Sequence, residues 1–305
     1  MERFEPRFSL TPRMVRQMKA IEDARGFLRA VRLRPDWAAE LRRKSQVRDA
    51  LSSVQLEGNS LPFEAAYALA EQPEAPADCT ASEREFLNYL RAFEAIDGLR
   101  DARDYPVSRR DLLNIHRMLV EGVRGGDRHA GRCRTEGVAV GDRAADGSIL
   151  IHHEPPAWPA VESHVDALMD WLDLSKQKPT AKQLAEGADD PWVHPVMVAG
   201  IAQHRLVWTH PFVDGNGRSA RMFTTLLLYQ RGYDFKYLFD LSSYYNQGRD
   251  RYYEALRTVD RTGDYTAWLT YFMGGFSRQM VTIIKRATKA AVGLEAESSE
   301  DAPID

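Results

Sequence analysis

The run from His210 to Arg221 reads His-Pro-Phe-Val-Asp-Gly-Asn-Gly-Arg-Ser-Ala-Arg and holds the residue types needed to handle a polyphosphate. Gly215 and Gly217 permit backbone angles closed to other residues and let a phosphate approach the main chain. A helix starting near Gly217 presents N–H groups without intrahelical partners, and the positive end of its dipole, to any anion placed there. Arg218 and Arg221 are three apart, share one face of the first turn, and can fork onto phosphate oxygens. Asp214, acidic beside this cationic nest, makes sense where a Mg²⁺ joins a carboxylate to phosphates. His210, at the entrance of the loop, is a candidate general base. Taken alone, the segment is also compatible with a plain turn, because Asp-Gly and Asn-Gly are common tight-turn pairs.

The elements that must position this segment are helical. Apolar residues at helical spacing predict helices over Thr11–Leu33, Pro35–Leu56, Leu61–Ala70, Ser82–Leu99 and Ser108–Glu121. Thr11-Pro12 is a start signal, an N-cap followed by proline at the first helical position. Helices return at Val161–Leu174 and Pro195–Trp208, immediately before the loop, and Arg218–Arg231 follows it. Three more are expected near Ser242–Tyr245, Arg249–Val259 and Tyr265–Lys289. Between residues 125 and 159 glycines punctuate the chain. Two short apolar runs there, Val138–Val140 and Ile149–Ile151, predict a β-hairpin around the polar loop Gly141–Ser148. Residues 73–81 and 175–191 read as exposed links, and residues 291–305 as a disordered acidic tail.

Composition narrows the class. The chain has 305 residues, 44% hydrophobic and 28% charged, with a formal net charge of −3. That is ordinary for a soluble globular protein, and nothing in it favours nucleic acid or an anionic membrane. Two cysteines, Cys79 and Cys133, cannot build a disulfide framework and fit a reducing compartment. With no apolar h-region and no long apolar run, a cytoplasmic protein is expected.

The segment His210–Arg221 resembles the signature of the Fic family, His-x-Phe-x-(Asp/Glu)-Gly-Asn-Gly-Arg-x-x-Arg. It matches at His210, Phe212, Asp214, Gly215, Asn216, Gly217, Arg218 and Arg221. The preceding helix, the hairpin, and the later Arg251–Leu256 and Thr262–Tyr265 stretches resemble family features too, so the similarity spans Ala81–Gly275. The resemblance implies an all-α Fic-type helical bundle with one β-hairpin flap and a helical N-terminal extension. It divides the chain into an extension over residues 1–80, a Fic core over 81–290 and the tail. It implies transfer of AMP from ATP to a Ser, Thr or Tyr hydroxyl of a target protein. His210 would be the base and Asp214 would hold Mg²⁺ or Mn²⁺. Gly215, Asn216 and Gly217 would orient the α-phosphate, Arg218 would take the β-phosphate and Arg221 the γ-phosphate. Phe212 would anchor the loop on the core. The related Doc kinases carry lysine at the position of Gly217 and transfer phosphate, so Gly217 argues for nucleotidyl transfer.

A second segment, Ser52–Asn59, is similar to the family's inhibitory motif, (Ser/Thr)-x-x-x-Glu-(Gly/Asn), through Ser53, Glu57 and Gly58. The resemblance implies that Glu57 pairs with Arg221 and excludes the γ-phosphate. In some relatives the same glutamate takes part in AMP removal. Read without the family, Glu57 is a solvated helix end before a glycine cap. The flap residues Val138, Ala139, Val140, Gly141, Ile149 and Ile151 would hold the target as an added strand. His152 and His153 lack the spacing of a zinc site. Tyr252, Tyr253 and Asp260 sit where relatives contact the base, although Asp260 departs from the asparagine found in some of them. ATP and a target protein are the expected partners, with no nucleic acid or membrane and with room for a homo-oligomer. The alternatives are transfer of another group (UMP, GMP, phosphocholine or phosphate), a non-catalytic Fic-fold module, or a DNA-binding regulator. No basic recognition helix supports the last.

Overall fold

The computed structural model describes residues 3–72, 76, 78–98, 106–123, 126–143, 149–176, 193–235 and 238–291. Its helices are α1 (Pro12–Ala30), α2 (Pro35–Leu56), α3 (Phe63–Ala70), α4 (Ala81–Gly98), α5 (Arg109–Val120), α6 (Gly126–His129), α7 (Val161–Leu174), α8 (Pro195–Thr209), α9 (Asn216–Gln230), α10 (Leu241–Gln247), α11 (Arg249–Thr262) and α12 (Thr266–Ala291). Two strands, β1 (Val140–Arg143) and β2 (Ile149–His153), form an antiparallel hairpin. The expected all-α bundle with one hairpin is the observed architecture. No described helix is long and apolar enough to cross a membrane.

Local chemistry explains where the elements start. The Thr11 side chain accepts from the Met14 amide at the head of α1, and Ser108 with Asp111 forms a reciprocal capping box on α5. Proline stands in the first turn of α1, α2 and α8, where its missing N–H costs nothing.

The central pair is α8 and α9. Almost every residue of α9 is buried, and α8 is buried on nearly all sides. Helices apolar or shielded all round belong at the centre of a bundle. Around them pack α5, α7 and α12, and the Trp268 indole of α12 donates to the Gly200 carbonyl of α8 at 2.7 Å. The N-terminal helices are not a separate layer. Met14, Ile21, Ala24 and Leu28 of α1 bury against α12, and the second half of α2 buries between α4 and α10. One hydrophobic cluster runs through all of them.

The hairpin departs from its predicted bounds. Pairing runs Val140↔His153, Gly141↔Ile151, Asp142↔Leu150 and Arg143↔Ile149, with an irregularity between Val140 and Gly141. Val138 and Ala139 therefore lie outside the ladder, while Gly141–Arg143, expected in the loop, are paired strand. Apolarity marked the wrong residues here, because a hairpin standing in solvent has no core to select for it. Leu150 and Ile151 are exposed accordingly. Residues 144–148, most of the 175–191 link, part of the 73–81 link and the tail from 292 lie outside the described residues.

Candidate active site at the junction of α8 and α9

The loop between α8 and α9 turns on two left-handed residues. His210 ends α8 with φ 48° and ψ 60°, and Gly215 precedes α9 with φ 76°. A side chain on Gly215 would also meet Val120 Cγ1 at 2.8 Å, so glycine is required there twice over. Asn216 closes the loop on itself: Phe212 N–H donates to Oδ1 and Nδ2 donates to the Phe212 carbonyl, both at 2.9 Å. This corrects the expectation that the Asn216 side chain faces the phosphate. Its amide is turned inward as the brace of the loop, leaving the backbone N–H groups of the α9 start for an anion.

Phe212 is fully buried and stacks on His116 of α5, with centroids 3.7 Å apart and planes 2° from parallel. His116 was not singled out in the sequence. It accepts from the Gly131 amide at Nδ1 (3.0 Å), which places its proton on Nε2, directed at the Asp214 carbonyl 3.1 Å away. Burial pushes its pKa down to about 4. His116 lies on the buried face of α5, and the loop it supports lies 98 residues on.

His210 is also neutral. Its Nδ1 faces the Val207 carbonyl at 3.3 Å, which assigns the proton to Nδ1 and leaves the lone pair on Nε2. Burial, with His153 and the Arg134 cation nearby, holds its pKa down to about 4, although Val207 and Glu57 pull the other way. Both rings thus have pKa values below that of an unfolded histidine, about 6.5. The unfolded chain then binds more protons than the folded one as pH falls, so their stabilisation is present above about 6.5 and is lost toward 4. The melting midpoint is expected to drop across that window in calorimetry. His116→Asn, which keeps one donor and one acceptor but cannot titrate, should flatten part of the slope. A midpoint constant from pH 6.5 to 4 in the unmodified chain would show that the rings are not held neutral by the fold.

The two arginines of α9 are buried and paired with carboxylates from the N-terminal half. Arg221 donates from Nη2 to Glu57 Oε1 at 2.7 Å, from Nη2 to the Ser53 carbonyl at 2.9 Å, and from Nε to Ser53 Oγ at 2.8 Å. Burial pushes the Glu57 carboxyl up, but Arg221 outweighs it, with help from Arg218 and His210, and the net pKa is lowered. The carboxylate lies directly over Gly217: a Cβ there would fall on Glu57 Oε1 and 2.9 Å from Arg221 Nη1. Arg218 has Glu85 of α4 at 3.2 Å and Asp214 at 3.6 Å. Glu85, also missed in the sequence, is fixed in turn by Asn59 Nδ2 at 2.9 Å. No pattern in the sequence links Glu85 to Arg218, since their elements meet only on folding.

Of the residues expected around the base, Asp260 stands apart from the two tyrosines. Tyr252 is buried, stacked on Tyr245 at 4.4 Å with Trp268 beside it. Asp260 turns toward His204 Nε2 (3.1 Å) and His153 Nδ1 (3.5 Å). It lines a cavity of about 370 Å³ that none of His210, Arg218 and Arg221 borders. Tyr252 stays beside the nest, its hydroxyl against Arg221, and Tyr253 donates from its hydroxyl to the Leu56 carbonyl at 3.2 Å. Paired tyrosines on an amphipathic helix alternate between core and interface, and here one did each. His153, read as an ordinary flap residue, anchors β2 through Nε2 to the Trp208 carbonyl at 2.8 Å.

Residues 106–228 match the model of the Fic/DOC family. They form a Fic/DOC domain. The matched stretch contains α5, the hairpin, α7, α8, the loop and most of α9. Proteins named protein adenylyltransferase Fic are similar to the chain: 29% identical over 58% of it in Nematostella vectensis and 26% over 68% in Culex quinquefasciatus. The chain spans little more than a third of their length, 36% in each case. Among solved structures, a Fic family protein from Desulfovibrio desulfuricans superposes with a TM-score of 0.73 at 24% identity, covering 92% of this chain and 77% of that one. A Fic domain containing signaling protein from Bacteroides thetaiotaomicron gives 0.67 at 20% identity, covering 92% of this chain and all of that one. The Fic fold thus extends over α1 to α4 as well as over the matched domain.

Proposed function

We propose that the protein transfers AMP from ATP to a Ser, Thr or Tyr hydroxyl of a target protein, and that Glu57 holds it in check. The reading rests on one arrangement. A neutral histidine with its Nε2 lone pair unprotonated opens the same loop that presents the N–H groups of α9 and two buried guanidiniums. The comparison with relatives named adenylyltransferase points the same way.

In this reading the phosphates settle on the N-terminus of α9, where Arg218 and Arg221 neutralise their charge. His210 Nε2 takes the proton from the acceptor hydroxyl, whose oxygen forms the new bond to the α-phosphorus. The bond from that phosphorus to the bridging oxygen breaks, and pyrophosphate leaves with the electron pair. The target lies along the hairpin, registering its hydroxyl opposite His210. Gly217, where the related Doc kinases carry lysine, favours nucleotidyl transfer over transfer of the terminal phosphate. Asp214 is the half-exposed carboxylate of the loop, and no group of three metal-ligating side chains occurs among the described residues. A single carboxylate suits Mg²⁺ delivered on the phosphates, because that ion is commonly held by one or two carboxylates plus substrate oxygens. Bound by Asp214, it would neutralise phosphate charge.

Labelled ATP tests the reading on the Glu57→Gly variant, with and without a metal chelator. Label retained from α-labelled and not from γ-labelled ATP is the expected result, lost on chelation. Label from the γ position only means phosphorylation and sinks AMP transfer. Transfer unaffected by the chelator removes Asp214 from metal binding.

A further inference from the structure

The guanidinium of Arg134 is buried, and no described carboxylate forms an ion pair with it; main-chain carbonyls surround it instead. Nε donates to the His210 carbonyl at 2.8 Å, Nη1 to the Glu136 carbonyl at 2.9 Å, and Nη2 to the carbonyls of Pro156 (2.5 Å) and Thr209 (3.5 Å). Its own N–H donates to the Pro211 carbonyl at 2.8 Å. These partners are not scattered. Glu136 leads into β1, Pro156 follows β2, and Thr209, His210 and Pro211 are the end of α8 and the turn beyond it.

We propose that Arg134 is the positioning residue of the transfer step, one side chain that clamps both roots of the flap to the backbone of the catalytic histidine. The proposal rests on the function proposed above. Three physical points carry it. First, His210 sits in the left-handed region, which a non-glycine residue occupies at a cost and only if its surroundings over-determine it. The bonds of Arg134 to residues 209, 210 and 211 supply that constraint. Second, those carbonyls lie at the negative end of α8, so a cation is favoured there without a carboxylate partner. Third, a target laid along the hairpin is only as well aligned with His210 as the hairpin's roots are. A misplacement of 1 Å can cost about 10²-fold in rate. Lysine cannot replace this residue, because a single ammonium lacks the planar fork that reaches four carbonyls.

The clamp also puts a positive charge beside His210. The titratable and charged groups that face that ring are His153 from β2, Glu57 from the end of α2, and Arg134 itself. Removing Arg134 takes away a cation that disfavours protonation of His210 and loosens the burial that contributes most. The pKa of His210 should then climb from about 4 toward the ordinary histidine value.

The test compares Arg134→Lys and Arg134→Met in the Glu57→Gly background. Three quantities are read: ring titration of His210 by NMR, affinity for ATP by calorimetry, and transfer to the protein itself from α-labelled ATP. The expected result is ATP affinity within about twofold of the parent and transfer reduced about tenfold to a hundredfold in both variants, as the alignment argument requires. The His210 titration should rise in the Met variant and rise less in the Lys variant, which keeps the charge. Two results overturn the proposal. One is loss of folding in both variants. The other is an unmoved His210 titration with transfer and ATP affinity falling together, which is what a merely structural residue would give. If the parent fails to incorporate label while the His210 titration moves as stated, AMP transfer is wrong and the clamp on His210 stands.

Discussion

Glu57→Gly is expected to raise self-labelling from α-labelled ATP by one to two orders of magnitude. In the folded chain the Glu57 carboxylate takes Arg221 and also fills the space over Gly217, so a terminal phosphate loses both its cation and its room. A hydrogen bond to a charged group contributes roughly 1.5–3 kcal/mol, and each ~1.4 kcal/mol of bias is a factor of ten in population. The Glu57 side chain is 33% exposed, so solvent screening places the electrostatic part toward the lower end of that range. The end of α2 is held from outside as well: Tyr253 donates to the Leu56 carbonyl, Asn246 to Gln55 at 2.9 Å, and Ser52 bonds Ser243 at 2.9 Å. Removing the carboxylate therefore frees Arg221 without dismantling the helix. Glu57→Gln separates charge from shape. It should activate less than glycine, because an amide still lies over Gly217. Affinity for ATP, measured alongside, should change little. Should neither variant label itself faster than the unmodified chain, with ATP binding intact, Glu57 is an ordinary helix end and the inhibitory reading fails.

His210→Ala in the Glu57→Gly background should reduce transfer by about 10²–10⁴-fold, the usual worth of a positioned general base. ATP affinity should stay within a few fold, since in the proposed function the α9 N-terminus and the two arginines, not the imidazole, would meet the phosphates. Because the His210 pKa lies near 4, transfer in the Glu57→Gly parent should be flat through the neutral range and fall only as the ring protonates in acid. A base with an ordinary histidine pKa would instead lose half its activity near pH 6.5. Transfer by the alanine variant at the parent's rate would remove His210 from the mechanism.

The local code carried the helices, and carried them closely. Pro35–Leu56 and Val161–Leu174 have the bounds that caps, prolines and apolar spacing predict, because helix starts and stops are short-range chemistry. The chemistry of the loop was equally legible: two glycines, two arginines three apart, a carboxylate and a histidine stand within twelve residues, so no folding is needed to bring them together. What lay beyond reach were side chains that serve the loop from other elements. His116 supports it from 98 residues away, Glu85 meets Arg218 from α4, and Arg134 binds it from the foot of the flap. Each looks in sequence like a core histidine or a solvated charge, and its role depends on which carbonyl or guanidinium the packing sets beside it. The same cause undid the placement of Asp260. The resemblance set it beside the base, but the docking of α11 against α8 turned it to His204 instead. Asn216 shows the limit at shortest range: its presence in the loop was readable, yet whether its amide points at a phosphate or braces the loop depended on a backbone that turns twice through the left-handed region. Such turns are paid for by packing, and packing is settled only when the whole bundle closes.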